Sequence, residues 1–361
     1  MKIGMLGPIW HNIPPKGYGG TELVVYNLVN CLSKNNEVYL FGPKTAKVKA
    51  NLIPTIDKPL MEMDLGNAWE NKKYTLSHIK KAFDMVDEFD ILHIHLNRFQ
   101  DYYALELASK SKTPVLFTPH FLLPDDELYP DRAEILTKYS FLPFSSISDS
   151  QRKGSNLNFV GTVYNGIDLT LYKFNPNPSD YFVWIGKIIA EKGTKEAILG
   201  AKKANKKLYL VGPYDKSNPL SVGYFENEVK PLIDRKSIIW LGEVSLEEKV
   251  KVLGGARAFI SPLQWDEPFG LVMIEAQALG TPIISFKRGD AHELIQDGKS
   301  GYLVENIDQM VEKMNKIGTI DRKETRKQAE KFSQENMASG YEKIYRQVIR
   351  DWNIYLKNSK I

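Results

Sequence analysis

Short apolar runs alternate with amphipathic segments along the whole chain, and the alternation comes in two successive sets. Residues 3–6, 38–41, 91–94, 115–118 and 144–147 read as buried strands, with helical patterns between them that are clearest over 21–33 and 68–89. Residues 182–185, 208–211, 238–241, 258–260 and 283–286 form the second set. Apolar strands spaced by helices predict parallel sheets covered on both faces. The 361 residues exceed one ordinary core of ~100–200 residues, so two doubly wound α/β domains are expected.

Asn165-Gly166-Ile167-Asp168 is a turn signal, and residues 172–180 carry two prolines and no periodicity, which makes them the expected linker. Over 333–356 a last helical pattern sets Tyr341, Ile344, Tyr345, Val348 and Trp352 at helical spacing.

Composition narrows the function. The formal charge of +4 is spread along the chain, with no polybasic run interleaved with aromatics, which argues against a nucleic-acid binder. The single cysteine, Cys31, excludes an internal disulfide. No stretch reaches the ~7–15 apolar residues of a signal peptide or the ~20 of a membrane span. A cytoplasmic location is expected, and lysines such as Lys44, Lys47 and Lys49 leave open a peripheral contact with the inner face of the membrane.

The motifs lie where strands give way to helices. Gly17-Tyr18-Gly19-Gly20-Thr21 runs into the first helix, a setting that suits an anion because glycines admit close approach and the helix end offers free N–H groups. It is no dinucleotide fingerprint: the loop is too long, Glu22 follows Thr21, and no acid ends the second strand. Gly298-Lys299-Ser300 lacks the earlier glycine of a P-loop, since position 293 is Glu293. His93 and His95 share one strand face and, with no third ligand nearby, read as packed or hydrogen-bonded rather than metal-binding. His120 follows a strand C-terminus, where open α/β sheets place ligands.

The second half opens with Gly186-Lys187-Ile188-Ile189-Ala190-Glu191-Lys192-Gly193-Thr194 after a strand. Thr194 reads as an N-cap, and Lys187 and Lys192 sit where the helix dipole disfavours cations, which an anion between them would reverse. Further on, Phe269-Gly270-Leu271-Val272 starts an apolar helix stopped by Gly280. The N–H groups of Leu271 and Val272 are expected to lack intrahelical partners. Glu275 is an acid inside that apolar run, so it requires a partner or a ligand. Glu267, alone, reads as an acid favoured near a helix start. No Asp-x-Asp and no Gly-x-Ser-x-Gly occurs, which argues against a carboxylate–metal sugar-transferase site and against a hydrolase elbow.

Glu267-Pro-Phe-Gly-Leu-x3-Glu275-Ala resembles the signature of glycosyltransferase family 4, the retaining group with the GT-B fold. The Gly19-Gly20 loop, Thr118-Pro119-His120, Asn165-Gly166-Ile167-Asp168, Lys187 with Lys192-Gly193, and Gly280-Thr281-Pro282-Ile283-Ile284 extend the likeness over nearly the whole chain.

The resemblance implies two Rossmann-like domains facing across a deep cleft. Residues 1–170 would bind the acceptor, 171–332 the nucleotide sugar, and the helix over 333–361 would cross back to the first domain. By matched position Glu275 would bind the ribose, and Glu267 with the Phe269 and Gly270 backbone would contact the donor sugar. Leu271 and Val272 would face the phosphates, Lys187 and Lys192 would hold them, Gly19 and Gly20 would approach from the first domain, and Val244 would line the base. His120, counted with Glu267, Lys192 and Lys187 as catalytic, would hydrogen-bond the sugar beside its anomeric carbon. Position 187 is usually arginine in the family; lysine keeps the charge and loses the bidentate fork.

The implied reaction moves a hexose-type sugar, with retention, from a nucleotide diphosphate sugar to a hydroxyl acceptor, a UDP-sugar being favoured over a GDP-sugar. It needs no metal and no cofactor besides the donor. The rival readings are a non-catalytic nucleotide-sugar binder and another GT-B enzyme such as a phosphorylase or epimerase. Trp10, His11, Asn97, Arg98 and Asp125 are the acceptor-side candidates.

Overall fold

A computed structural model describes residues 1–63, 72–123 and 130–357. The chain divides into two compact units, Met1–Gly166 with Gln334–Ile361, and Ile167–Ser333.

The first unit carries β1 (Lys2–Leu6), β2 (Glu37–Pro43), β3 (Asn51–Ile56), β4 (Ile91–Leu96), β5 (Val115–Pro119), β6 (Phe144–Ser146) and β7 (Phe159–Thr162). They form one sheet in the order β3-β2-β1-β4-β5-β6-β7, parallel throughout. The second unit carries β8 (Phe182–Ile185), β9 (Leu208–Val211), β10 (Ile238–Gly242), β11 (Phe259–Ser261), β12 (Ile283–Phe286) and β13 (Gly301–Val304). Its order, β10-β9-β8-β11-β12-β13, is also parallel throughout. Each sheet grows outward in both directions from its first strand. The switch points therefore lie between β1 and β4 and between β8 and β11, and such crevices are where doubly wound sheets receive ligands.

All ten strands read from the sequence are present. The three others, β3, β7 and β13, are sheet edges. Pro54 in β3 withholds an N–H that an inner strand would need, and only the last residue of β3 is buried. Helix Gly20–Leu32 answers the pattern over 21–33. Helix Lys72–Asp84 answers the described part of 68–89, whose first residues lie outside the described ones.

The proline-bearing residues 172–180 are not a free linker. Tyr172 is buried, Asn175 donates from its backbone to Leu279 and from its side chain to Gly254, and Arg322 Nε donates to the Asn175 carbonyl. The units part at the Gly166/Ile167 junction instead, within the earlier turn signal.

Helix Gln334–Lys357 completes the first unit. Tyr341, Tyr345, Val348 and Trp352 are buried, and a Cβ at Gly161 of β7 would stand 3.0 Å from Ile344, so glycine admits the helix there. Among the described residues, no helix is long and apolar enough to cross a membrane.

Candidate active site

The loops after β8 and β11 flank the second switch point and are joined backbone to backbone. Gly193 is left-handed at φ 69°, and a Cβ on it would lie 1.8 Å from the Pro262 carbonyl oxygen. Gly193 caps helix Thr194–Lys203, so Thr194 is the first helical residue and not the cap expected for it. Its side chain is wholly buried.

Both lysines of the first loop are already ion-paired. Lys187 Nζ donates to Asp215 Oδ2 at 3.1 Å, and Lys192 Nζ donates to Glu267 Oε2. Trp265 Nε1 donates to the same Glu267 oxygen at 2.9 Å, while the Lys192 ammonium sits 5.0 Å from the Trp265 ring centroid. Lysine, acid and indole thus form one unit at the end of β11. The Asp215 carboxyl is held below its ordinary range, chiefly by the Ser217 hydroxyl and then, against partial burial, by Lys187.

Helix Leu271–Ala278 follows, with all residues from Met273 to Ala278 buried and left-handed Gly280 just past its end. Its start differs from the sequence reading. The Leu271 N–H donates to the Phe269 carbonyl at 3.1 Å, so this amide is engaged locally. The Gly270 N–H donates to Asp290 Oδ2 at 2.8 Å. Asp290 is wholly buried, and its backbone N–H donates to the Glu267 carbonyl at 3.2 Å. Burial pushes the Asp290 carboxyl well above the usual range; the Gly270 N–H opposes this, and the Glu267 and Glu293 charges add to it. The Arg288-Gly289-Asp290 segment therefore clamps the Glu267 turn from the side. Gly289 (φ 52°) is indispensable there, because a Cβ would lie 2.4 Å from both the N and O of Glu267.

Glu275 is 1% exposed. Its Oε1 accepts the Tyr172 hydroxyl at 2.8 Å and Lys249 Nζ at 2.7 Å, and its Oε2 is buried with no partner. The cation that Glu275 faces is Lys249. Lys249 comes from helix Leu246–Gly255, which opens on a Ser245/Glu248 capping box immediately after half-buried Val244. The Tyr172 hydroxyl is pushed up by burial and by the Glu275 charge.

In the first unit, Gly19 caps helix Gly20–Leu32 at φ 155°, and a Cβ on it would stand 2.6 Å from Pro15. Gly20 is exposed at the helix start. Two residues on, Glu22 is buried and accepts the His11 N–H at 3.2 Å; burial raises its carboxyl, against the pull of His11. Thr21 Oγ1 donates to Asn97 Oδ1 at 3.1 Å, and the Arg98 guanidinium stacks on Trp10 at 5.0 Å. Asp125 lies outside the described residues.

Across the β1/β4 switch point, β4 and β5 bring three histidines together. His93 and His95 rings lie 4.1 Å apart, and His95 Nδ1 stands 2.8 Å from His120 Nε2. Burial pushes the His120 imidazole down to about 3, and His95 and His93 well below their ordinary value. Among the described residues, no group of three or more His, Cys, Asp or Glu side chains could hold a metal ion.

Residues 18–171 match the family model described as Glycosyltransferase Family 4, and residues 173–336 match that of Glycosyl transferases group 1. The chain belongs to glycosyltransferase family 4. A relative along most of its length is an uncharacterised 41.2 kDa protein in the cps region of Klebsiella pneumoniae, 24% identical, covering 89% of this chain and 96% of the relative. Phosphatidyl-myo-inositol mannosyltransferase of Mycolicibacterium smegmatis is 23% identical, covering 84% and 81%. Among solved structures, the sucrose-phosphate synthase of Thermosynechococcus elongatus shares the GT-B fold at a TM-score of 0.79 and 17% identity, covering 97% and 99%. HepE of Anabaena, in complex with UDP and glucose, superposes at a TM-score of 0.70 and 17% identity, covering 95% and 99%.

In this family 4 glycosyltransferase, Lys192 and Glu267 are in contact, Phe269 and Gly270 carry on from them, and Glu275 lies on the following helix. Lys249, Tyr172, Trp265 and Asp290 were missed from sequence. Only Trp265 lay beside a recognised motif; the others reach the site through the fold.

Proposed function

We propose that the enzyme transfers a hexose-type sugar from a nucleotide diphosphate sugar to a hydroxyl acceptor with retention of anomeric configuration, and that its nucleotide is UDP. The observation that carries this reading is the bare, buried Oε2 of Glu275, a full acceptor with nothing to accept from in a chain of this family. A vicinal diol of ribose supplies the missing donors. HepE, of the same fold, was solved with UDP and with UDP-glucose.

On this reading the base lies by Val244, and the diphosphate meets Lys187, Lys192 and the backbone around Leu271 and Val272. Lys192 then exchanges part of its pairing with Glu267 for the phosphate, which frees Glu267 toward a sugar hydroxyl. The departing diphosphate is stabilised by cations and N–H groups fixed before the reaction, the electrostatic contribution that usually dominates. The acceptor hydroxyl attacks from the leaving-group face and gives its proton to the leaving phosphate, so no enzyme nucleophile is required. Gly19 and Gly20 serve the phosphates and His120 the donor sugar. The first unit binds the acceptor.

Calorimetry with a panel of nucleotide sugars tests the donor, and proton NMR of the product's anomeric centre tests retention. Binding of UDP-sugars and an unchanged anomer are expected. No binding by folded protein, or an inverted product, would overturn the reading. Turnover should also persist in chelator.

A further inference from the structure

The three histidines in β4 and just past β5 differ in how their ring nitrogens are satisfied. His93 has a hydroxyl at each nitrogen, Tyr345 at Nδ1 and Thr118 at Nε2, both at 2.8 Å, and either hydroxyl can give or take a proton. His95 has His120 at Nδ1 and nothing at Nε2, which is buried.

That asymmetry selects a tautomer. A proton on His95 Nε2 would bury an N–H with no acceptor. A proton on Nδ1 leaves only an unused lone pair at Nε2. Orphaned buried donors are the rarer case in folded proteins, and leaving one unmade is costly. His95 therefore carries its proton on Nδ1 and donates it to His120 Nε2. A neutral His120 accepting at Nε2 must hold its own proton on Nδ1. Nδ1 has no partner among the described residues.

We propose that His95 is a positioning residue that locks His120 in the Nδ1–H tautomer, so that His120 meets the substrate as a hydrogen-bond donor and not as a base. The neutral state of both rings follows from their burial, which holds the cluster below its ordinary protonation range. This rests on the assignment of His120 to the donor sugar; the tautomer itself is independent of it.

The test is a long-range proton–nitrogen correlation spectrum of the full chain, ligand-free and labelled with nitrogen-15 in its six histidines, near neutral pH. His120→Asn and His95→Asn spectra assign the two rings. His120 should show the Nδ1–H pattern in the native chain and lose its dominance in His95→Phe. In turnover, His95→Phe should lower kcat roughly tenfold, the size of one net hydrogen bond, with the donor KM little changed. His95→Asn, whose amide N–H can stand in for Nδ1–H, should restore most of the kcat. An Nε2–H pattern for His120 in the native chain, or a pattern indifferent to His95→Phe, would overturn the inference. Because the spectrum needs no ligand, such a result is distinct from failure of the nucleotide-sugar reading, which calorimetry decides.

Discussion

Lys249 Nζ lies 2.7 Å from the Oε1 of Glu275, the same oxygen that the Tyr172 hydroxyl reaches at 2.8 Å. Two donors on one oxygen leave the other free for a ligand while the buried charge stays compensated. Removing the cation would leave a buried acid whose charged form is disfavoured. Lys249→Met should therefore weaken UDP binding roughly 10- to 100-fold, the worth of a charge-assisted hydrogen bond of about 1.5–3 kcal/mol. Lys249→Arg should keep most of it. Equal affinity of all three proteins by calorimetry would remove Lys249 from the donor site.

Trp265 joins Lys192 and Glu267 through two faces of one side chain, its N–H and its ring. Trp265→Phe keeps a ring for the ammonium and deletes the donor. The expected result is a kcat about tenfold lower with the melting temperature changed by only a few degrees. Steady-state kinetics beside a thermal melt would show this, and an unaltered kcat would refute the role.

Gly289 and Gly298 are both left-handed, at φ 52° and 74°, but only Gly289 is crowded. Alanine at either position meets backbone strain of ~1–2 kcal/mol. At Gly289 it also drives a methyl into the Glu267 backbone, so activity as well as stability should fall. Gly298→Ala, with nothing within 4 Å of its Cβ, should lose stability alone. Denaturant titrations and kinetics on the pair separate the two effects.

His78 is buried, takes the Thr55 hydroxyl at Nδ1 and gives its Nε2–H to the Gly7 carbonyl at 2.9 Å. Burial lowers its folded value to about 4. The unfolded chain titrates near ~6.5. Between these values the unfolded state holds a proton that the fold does not. The stabilisation from neutral His78 is thus complete above ~6.5 and disappears as pH falls, at ~1.4 kcal/mol per pH unit. His78→Gln should be less stable than the native chain at pH ~8, and the gap should narrow by that slope toward pH ~4.5. Urea midpoints at several pH values measure the gap; a constant gap would contradict the assignment.

Inner strands were legible because burial on both faces leaves a continuous apolar run, as in Phe182–Ile185. Three of the four sheet edges were not: Asn51–Ile56 is half-exposed and holds a proline, and Gly301–Val304 starts on glycine behind a turn. The Gly298-Lys299-Ser300 segment is that turn, with Ser300 buried against Gln277 and Gln296. Glu275 was legible as an anomaly, since an acid in an apolar helix demands a partner. Which partner was not, because Tyr172 stands 103 positions away and Lys249 sits on a helix whose charges read as an ordinary solvated face. Asp290 escaped for the same reason. Its burial is created by the turn it clamps, and nothing local distinguishes it from a loop acid.

Ile167 and Ser333 pair side by side, and the Ile167 N–H donates to the Phe332 carbonyl at 3.0 Å. The second unit is therefore an insertion whose two ends touch, placed before the helix that completes the first. A ribosome releases the chain from its N-terminus, and domains fold as units once they emerge. All six strands of residues 167–333 are available before Tyr341, Tyr345 and Trp352 have been made. The half of the protein that is begun first is consequently finished last, with His93 awaiting its Tyr345 hydroxyl and the floor of its sheet uncovered until the final helix arrives.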